Sequence, residues 1–198
     1  DFAPKAGWSD YYASEKFYLA YPNDERKAHN FMTEWNTKKG VVNYKNSADK
    51  LPAISKYYDY NDGEPGKSAQ SNGITCIYRY ADILLMYAEA SVRATNSVSA
   101  KATNALQEVQ KRAQGYADNA TVTTTTNPSE FLDAVFDENG WEFFAEMRRW
   151  FDLVRLEKLK DVKPTEWANS LFKANNHYYF PVPYTQIELT NWANNAGY

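Results

Sequence analysis

Three carboxylates recur in the chain at the spacing of one helical turn: Glu138, Glu142 and Glu146. Side chains four positions apart on a helix lie about 5–6 Å from each other at Cβ, near the separation of the two carboxyl groups in a retaining glycosidase. A glycosidase needs those groups on opposite sides of a cleft, however, and one helix face offers no cleft. The spacing therefore keeps glycoside hydrolysis as an alternative without establishing it.

Ion pairing is the stronger interpretation of these carboxylates. At 100° per residue they fall opposite a broad apolar stripe of the same helix, and cations lie close by in sequence at Arg148, Arg149 and Arg155. Pairing with a cation lowers the pKa of a carboxyl group, whereas general-acid catalysis needs a raised pKa. We therefore predict that the chain has no catalytic residues and is not an enzyme.

The signals for metal, thiol or phosphate chemistry are weak. His29 and His177 lie far apart in sequence and belong to no cluster with metal-ligand spacing. Cys76 is the single cysteine, which excludes an intrachain disulfide, and we predict that it is a small core residue. The acidic segment 59–64 lacks the ligand spacing of a calcium loop, and no glycine-rich phosphate loop occurs. We predict no metal site and no cofactor.

Aromatic residues are the better functional lead. The 198 residues include 16 Tyr, 10 Phe and 6 Trp, and a formal net charge of -3 argues against nucleic-acid binding. In residues 1–73, seven rings sit among polar and turn-forming residues instead of on a helical stripe: Trp8, Tyr11, Tyr12, Trp35, Tyr57, Tyr58 and Tyr60. Exposed rings would stack on sugar faces, whereas buried rings would fill the core. We predict that Trp8, Tyr11, Tyr12 and Trp35 bind ligand.

The elements that position these residues divide the chain in two. Residues 1–73 are rich in turn formers and predict an irregular, loop-rich segment with a short strand at residues 41–44. Residues 74–198 predict a helical portion, because apolar residues recur at helical spacing in 77–93 and 102–113. Asn127 and Pro128 mark the start of a third helix, which extends to residue 156 with a break near Met147. An extended tail follows it.

The first two predicted helices are joined by a short turn and form an antiparallel hairpin. The hairpin is close in length to the roughly 34-residue period of tetratricopeptide units, and such a unit buries its apolar face only against stacked neighbours. The sequence therefore predicts a mainly α fold, in which tetratricopeptide-like helical hairpins pack with an irregular, loop-rich subdomain that has few short strands.

Several blocks of the chain resemble the SusD/RagB family, the nutrient-binding lipoproteins of Bacteroidetes outer membranes. Residues 77–90, IYRYADILLMYAEA, are similar to the family's RYADxLLMYAEA helix and form the most specific block. The other blocks are Asp24-Glu25-Arg26 for a DxR motif, Lys56-Tyr57 for a KY strand, residues 106–113 for LNxVRxRAG, residues 142–155 for ExxxExxRxxDLxR, and residues 179–198 for PIPxxEI…N…QNxGY. Three positions depart from the family: Asn139, Met147 and Trp192 stand where Arg, Gly and Pro are usual.

This resemblance implies a function as well as a fold. Family members sit on the cell surface and bind glycans, or peptides in some members, without catalysis, and they cover a SusC-like TonB-dependent transporter. The implied partners are therefore an oligosaccharide, a SusC-like outer-membrane transporter and the N-terminal part of the same protein, which carries the lipid anchor in the family. The chain starts at Asp1 without a signal segment, so we expect it to be the C-terminal part of a longer protein. A peptide ligand, and a helical scaffold that binds only proteins, remain alternatives.

Overall fold

The computed structural model describes residues 12–37, 40–57, 76–162 and 179–195. The chain divides into two compact units, Asp1–Ala145 and Glu146–Tyr198. The boundary predicted after residue 73 falls in the segment 58–75, which lies outside the described residues, so that boundary stays a prediction.

Helices dominate the described residues, and the strands are short. The helices are α1 (Glu15–Ala20), α2 (Glu25–Asn30), α3 (Tyr80–Thr95), α4 (Ala100–Ala113), α5 (Pro128–Glu142), α6 (Arg149–Arg155), α7 (Leu159–Val162) and α8 (Tyr184–Thr190). The strands are β1 (Phe31–Met32), β2 (Glu34–Thr37), β3 (Gly40–Asn43) and β4 (Ala53–Ile54). The prediction of a mainly α chain with few short strands is confirmed.

The largest core lies between α3, α4 and α5. Its buried side chains recur at helical spacing on each helix: Leu85, Ala88 and Val92 on α3, Ala102, Ala105, Leu106 and Val109 on α4, Phe131 and Val135 on α5, with Phe143 beyond it. The predicted hairpin of α3 and α4 and the predicted buried face of α4 are both confirmed. The start of α5 is confirmed as well, because Asn127 accepts hydrogen bonds from the backbone of Ser129 and Glu130 and Pro128 follows it.

The predicted helix of residues 128–156 is interrupted. Helix α5 ends at Glu142, and Ala145 and Met147 adopt left-handed φ values of 61° and 59° before α6 begins. That conformation costs a non-glycine residue roughly 1–2 kcal/mol, which accounts for the usual glycine of the resembled pattern at position 147. The predicted break near Met147 is therefore confirmed.

This helix was predicted to bury an apolar stripe: Leu132, Phe136, Gly140, Phe143, Phe144, Met147, Trp150, Phe151 and Val154. Phe136, Gly140 and Phe143 are buried, but the stripe was wrong in phase. Phe131 and Val135 are fully buried, although the stripe omitted them, whereas Met147 is 85% and Phe151 68% exposed. The direction of the stripe was calculated partly from residues after Glu142. Helix α5 has ended there, so the 100° step between residues no longer applies. The same cause, a helix that ends or begins elsewhere, exposes Cys76 and Ile77, since α3 begins only at Tyr80. The prediction of a buried Cys76 was wrong.

The irregular residues form a second core made of aromatic rings. Ala13, Tyr21 and Phe31 are buried there, and Phe17, Tyr18, Ile54, Trp141 and Phe144 pack against them. The ring of Phe31 lies 4.6 Å from that of Phe144, and Phe17 stacks on Phe144 at 5.5 Å. Part of the aromatic excess therefore replaces aliphatic core residues, at about 0.5–1.5 kcal/mol per ring pair beyond burial.

Two small antiparallel ladders flank this aromatic core. Strand β1 pairs with β4, Phe31 opposite Ile54, and β2 pairs with β3, Trp35 opposite Val42. Strand β3 confirms the predicted strand at residues 41–44 except for its last residue, which begins a 3₁₀ turn at Tyr44–Asn46.

A row of glutamines on α4 fixes the threonine-rich loop that leads to α5. The amide of Gln110 donates to Thr123 Oγ1 at 3.0 Å and accepts from its backbone N–H at 2.8 Å. Gln107 donates to the Thr123 carbonyl at 2.7 Å. The amide of Gln114 donates to the Thr121 carbonyl at 2.8 Å and accepts from the Thr121 N–H at 2.9 Å. The glutamine amides thus replace the peptide partners that a strand would supply to this extended segment.

The unit Glu146–Tyr198 contains α6, α7 and α8. The rings of Trp150 and Phe180 lie 5.8 Å apart, and the tail is held by Asn194, which accepts from the Val182 N–H at 2.8 Å. Helix α8 ends where Asn191 adopts a φ of 54°, a left-handed conformation that asparagine tolerates. Among the described residues of the whole chain, no helix is both long and apolar enough to cross a membrane.

Substituting Gln110 tests the glutamine row. We expect Gln110→Ala to lower the free energy of unfolding by about 1–3 kcal/mol, because it leaves a partly buried N–H of the loop without its acceptor. Lys111→Ala, at the exposed neighbouring position, should change it by no more than about 0.5 kcal/mol. Urea unfolding followed by circular dichroism gives both values, and equal effects of the two substitutions would contradict the role of Gln110.

Candidate functional site

Of the four rings predicted to bind ligand, two are described. Trp8 and Tyr11 lie outside the described residues. Tyr12 is half-buried and forms an isolated antiparallel bridge with Ala53, and Trp35 is buried on β2 with 9% of its surface exposed. Tyr12 and Trp35 thus present little open ring surface, and a ligand-binding role for all four residues stays a prediction.

Tyr57 is the most exposed described ring of the wider set of seven. It is 57% exposed and follows β4, while Tyr58 and Tyr60 lie outside the described residues. The surroundings of Tyr57 are set by its neighbour Lys56, whose Nζ donates to the main-chain carbonyl of Glu142 at 3.1 Å. The backbone next to Tyr57 is therefore held at the C-terminal end of α5.

Glu142, the last residue of α5, collects side chains from distant parts of the first unit. Its carboxylate is 3% exposed and accepts hydrogen bonds from Arg79, Arg112 and Arg26, the last at 2.8 Å. Its carbonyl, one of the unpaired acceptors at a helix C-terminus, accepts from Arg79 Nη2 at 2.8 Å as well as from Lys56. A helix C-terminus favours cations, so the side chain and the main chain of Glu142 attract the same groups.

Arg26 extends this arrangement to a second buried carboxylate. Its Nη1 lies 2.6 Å from Glu138 Oε1 and 2.8 Å from Glu142 Oε2, while its Nε and Nη2 donate to Asp24 Oδ2 at 3.1 and 2.6 Å. Asp24 is also the N-cap of α2 and accepts from the Arg26 backbone N–H at 3.0 Å. The Asp24-Glu25-Arg26 motif therefore starts α2 and aims one guanidinium group into α5.

We refer to Asp24, Arg26, Arg79, Arg112, Glu138 and Glu142 as the arginine–glutamate cluster. The helical spacing predicted that its two glutamates lie on a face opposite the core and pair with arginines nearby in sequence, and the structure corrects both points. Glu138 and Glu142 are buried. Arg26 lies 112 positions from Glu138 and 116 from Glu142 along the chain. Arg79 and Arg112 lie 63 and 30 positions from Glu142. The nearby Arg155 instead pairs with Asp152, at 2.8 Å.

The pKa values of the two glutamates of the cluster are shifted in opposite directions. Burial raises the pKa of Glu138 above its ordinary 4.5, because the attraction of Arg26 does not fully offset the loss of water. Burial also acts to raise the pKa of Glu142, but hydrogen bonds and charges from Arg79, Arg112 and Arg26 outweigh it and hold the pKa below 4.5. Glu142 is therefore ionised at neutral pH.

This geometry favours a structural role for the carboxylates over a catalytic one. Glu138 is 2% and Glu142 3% exposed, so a glycosidic bond has no access to either, and glycosidases need both carboxyl groups beside the scissile bond. Within the described residues, no group of three or more histidine, cysteine, aspartate or glutamate side chains has the arrangement to hold a metal ion. The arginine–glutamate cluster instead joins four segments of the first unit: α2 with its N-cap, the start of α3, α4 and α5.

Two exposed tyrosines are sequence neighbours of the residues that bind the Glu142 carbonyl. Arg79, whose guanidinium group also lies 4.5 Å from the ring of Phe143, is flanked by Tyr78, which is 70% exposed. Since Arg79 and Lys56 donate to the same carbonyl oxygen, the segments that carry Tyr78 and Tyr57 meet at that point. We call Tyr57 and Tyr78 the tyrosine pair. The sequence pattern indicated Tyr57 as one of seven candidate rings but not Tyr78, because helical spacing predicted that Tyr78 lies within a helix.

The start of α3 holds this geometry in place. Arg79 is the N-cap residue of α3, and its backbone N–H donates to the side chain of Asp82 at 2.8 Å. The buried Asp82 thereby fixes the last residue before the helix. Tyr78 is attached to this fixed position, whereas its ring remains open to solvent.

Comparison with known proteins identifies the relatives of the chain. A model described as the SusD family matches residues 3–198. SusD-like protein P2 of Formosa agariphila is 28% identical over 208 residues, which cover 97% of this chain and 41% of that protein. The chain therefore spans about two fifths of the length of this relative.

Solved structures share the fold. The structure of a SusD homolog from Bacteroides thetaiotaomicron superposes with a TM-score of 0.73 at 20% identity, covering 98% of this chain and 46% of the other. Surface glycan-binding protein A from Bacteroides uniformis gives a TM-score of 0.63 at 26% identity, with coverage of 92% and 40%. These superpositions confirm the predicted fold class.

Removing Arg26 tests the burial of Glu138. We expect Arg26→Met to lower the free energy of unfolding at pH 7 by about 3–5 kcal/mol, because it leaves buried carboxylates without this cation. A group with a raised pKa in the folded state stabilises at low pH and loses that contribution as the pH rises, so the deficit should shrink as the pH falls through the raised pKa of Glu138. Lys101→Met, at an exposed position of α4, is the control and should change the free energy of unfolding by no more than about 0.5 kcal/mol. A deficit that does not vary with pH would contradict this assignment.

Neutralising Glu142 should give the opposite pH dependence. A carboxyl group with a lowered pKa stabilises the fold above its ordinary 4.5 and loses that contribution as the pH falls through the folded-state value. We expect Glu142→Gln to cost about 3 kcal/mol or more at pH 7, with a difference from the unsubstituted protein that narrows below pH 4.5. Denaturant titrations across the pH range measure it. Glu108→Gln, at an exposed position of α4, is the control and should leave the curve unchanged.

Proposed function

The chain belongs to the SusD family, and we propose that it is a glycan-binding part of a cell-surface protein that works without catalysis. The match of the SusD family to residues 3–198 carries this proposal. It is supported by the fold shared with surface glycan-binding protein A from Bacteroides uniformis, which is 26% identical. The chain spans 41% of its relative's length, so the ligand and the partners of the whole protein are stated here as proposals.

The tyrosine pair is the proposed ligand contact. Tyr57 and Tyr78 are 57% and 70% exposed, and a tyrosine ring offers an apolar face for a sugar ring together with a hydroxyl for its polar edge. Lys56 and Arg79 anchor the neighbouring backbone to Glu142, so little ordering of the protein opposes binding. Trp8, Tyr11, Tyr12 and Trp35 remain proposed contacts on the grounds of local composition.

Uptake is the proposed purpose of this binding. In the resembled family, the glycan passes to a SusC-like TonB-dependent transporter in the outer membrane, and the lipid anchor lies in the N-terminal part of the protein. We propose the same partner and the same cell-surface location for the protein that contains this chain. Glycan binding at the tyrosine pair requires neither the transporter nor the membrane, so it can be tested on the purified protein.

Two alternatives differ in ligand or in chemistry. A peptide ligand would also use exposed tyrosines, since their rings and hydroxyls suit peptide groups as well. A glycoside hydrolase would need Glu138, Glu142 or Glu146, and the burial of the first two opposes it. The two alternatives and the glycan proposal predict different results when the protein is mixed with oligosaccharides and with oligopeptides.

Titration calorimetry of the protein expressed from its complete gene tests the proposal. We expect binding to at least one member of a panel of oligosaccharides with defined linkages, and none to a matched panel of oligopeptides. Tyr57→Ala and Tyr78→Ala should each weaken that binding about tenfold, which corresponds to about 1.4 kcal/mol. Tyr116→Ala is the matched control, because that ring is 58% exposed but lies beyond the end of α4.

Different failures contradict different parts of the proposal. No binding to any oligosaccharide would contradict the function, and binding to peptides alone would favour the peptide alternative. Release of reducing ends that Glu142→Gln abolishes would favour the hydrolase. Glycan binding that survives both tyrosine substitutions in folded protein would leave the function standing and remove the tyrosine pair from it.

A further inference from the structure

Positive charge of the arginine–glutamate cluster reaches the protein surface, whereas its negative charge does not. The side chains of its three acids, Asp24, Glu138 and Glu142, are only 4%, 2% and 1% exposed. Two of its cations differ, because the side chains of Arg79 and Arg112 are 29% and 46% exposed. A group that approaches the cluster from solvent therefore meets guanidinium groups and not carboxylates.

Arg112 brings open hydrogen-bond donors to this surface. It makes one hydrogen bond within the described part of the chain, from Nη2 to Glu142 Oε2. A guanidinium group has two edges that each carry a pair of parallel N–H groups, so one edge of Arg112 stays open. The exposed Glu25, whose carboxylate lies against Gly115 at the same end of α4, forms no ion pair with Arg112 among the described residues.

This open edge lies near the proposed sugar contact. Arg79 and Arg112 bind the two oxygens of the same Glu142 carboxylate, so their guanidinium groups are neighbours. Tyr78, one ring of the tyrosine pair, directly precedes Arg79 in the chain. An oligosaccharide with a sugar ring on Tyr78 can therefore bring a substituent of that ring or of the next one to Arg112.

We propose that Arg112 is the subsite for an anionic group of the glycan, so that the protein prefers oligosaccharides with uronate carboxylates or sulfate esters to neutral ones. This inference rests on the proposed glycan binding and specifies the class of glycan. The oxygens of a carboxylate or a sulfate match the paired N–H groups of a guanidinium edge. Since the net charge of the chain is -3, the attraction for such a ligand has to come from local cations.

Calorimetry with matched pairs of ligands tests this preference on the protein expressed from its complete gene. The pairs are oligogalacturonides and glucuronate-containing oligosaccharides with their carboxyl-reduced forms, and sulfated galactan oligosaccharides with their desulfated forms. We expect at least one acidic form to bind about tenfold or more tightly than its neutral counterpart, with a difference that shrinks as sodium chloride is added. The pair that shows this difference identifies the anion as carboxylate or sulfate.

Two failures of this experiment are distinguishable. Equal affinities for acidic and neutral forms, or binding confined to neutral oligosaccharides, would overturn the inference and leave the proposed function intact. No binding to any oligosaccharide would contradict the proposed function itself.

A charge-conserving substitution tests the role of Arg112. Arg112→Lys keeps a cation beside Glu142 but removes the paired N–H groups, so we expect the ratio of acidic to neutral affinity to fall at least about fivefold. Arg93→Lys is the matched control, because that side chain is 47% exposed and bonds Glu89 within α3, and it should preserve the ratio. Thermal melting followed by circular dichroism checks that both variants fold. A ratio unchanged in folded Arg112→Lys protein would overturn the assignment, and the ligand pairs alone decide the inference should that variant fail to fold.

Discussion

The buried carboxylate of Glu142 is the interaction on which the first unit of this chain depends. Three arginines from α2, the start of α3 and the end of α4 meet it, and its carbonyl binds a lysine that follows β4. Helix α2 and the residues after β4 are short segments that lie outside the helical core of α3, α4 and α5. Because a buried carboxylate without its cations is strongly unfavourable, the segments are held in one arrangement, including the irregular residues that no periodicity orders.

The same constraint separates structure from function in this chain. Glutamates spaced like catalytic residues form ion pairs inside the fold. Tyr57 and Tyr78, the sequence neighbours of two residues that bind the Glu142 carbonyl, remain open to solvent. A rigid, charged interior beside exposed rings suits recognition without chemistry, since loops on a fixed scaffold commonly carry binding residues.

Local rules predicted some of this arrangement and could not predict the rest. Helical periodicity was sufficient for the hairpin of α3 and α4, and the resemblance of Asp24-Glu25-Arg26 to a known motif pointed to a residue that proved central. The partners of Glu142 lie 116, 63 and 30 positions away, so sequence proximity favoured Arg148 and Arg149 instead. Exposure is likewise a property of the packed fold, which is why Trp35 and Tyr57 were indistinguishable as sequence yet differ in burial.

The central claim is that Arg26 and Glu142 belong to one cooperative cluster, and a double-mutant cycle measures that directly. The free energy of unfolding is determined at pH 7 for the unsubstituted protein, Arg26→Met, Glu142→Gln and the double variant. We predict a coupling energy of about 1–3 kcal/mol, as found for residues in one buried network. Additive effects within about 0.5 kcal/mol would show that the two residues act independently, and would contradict the account.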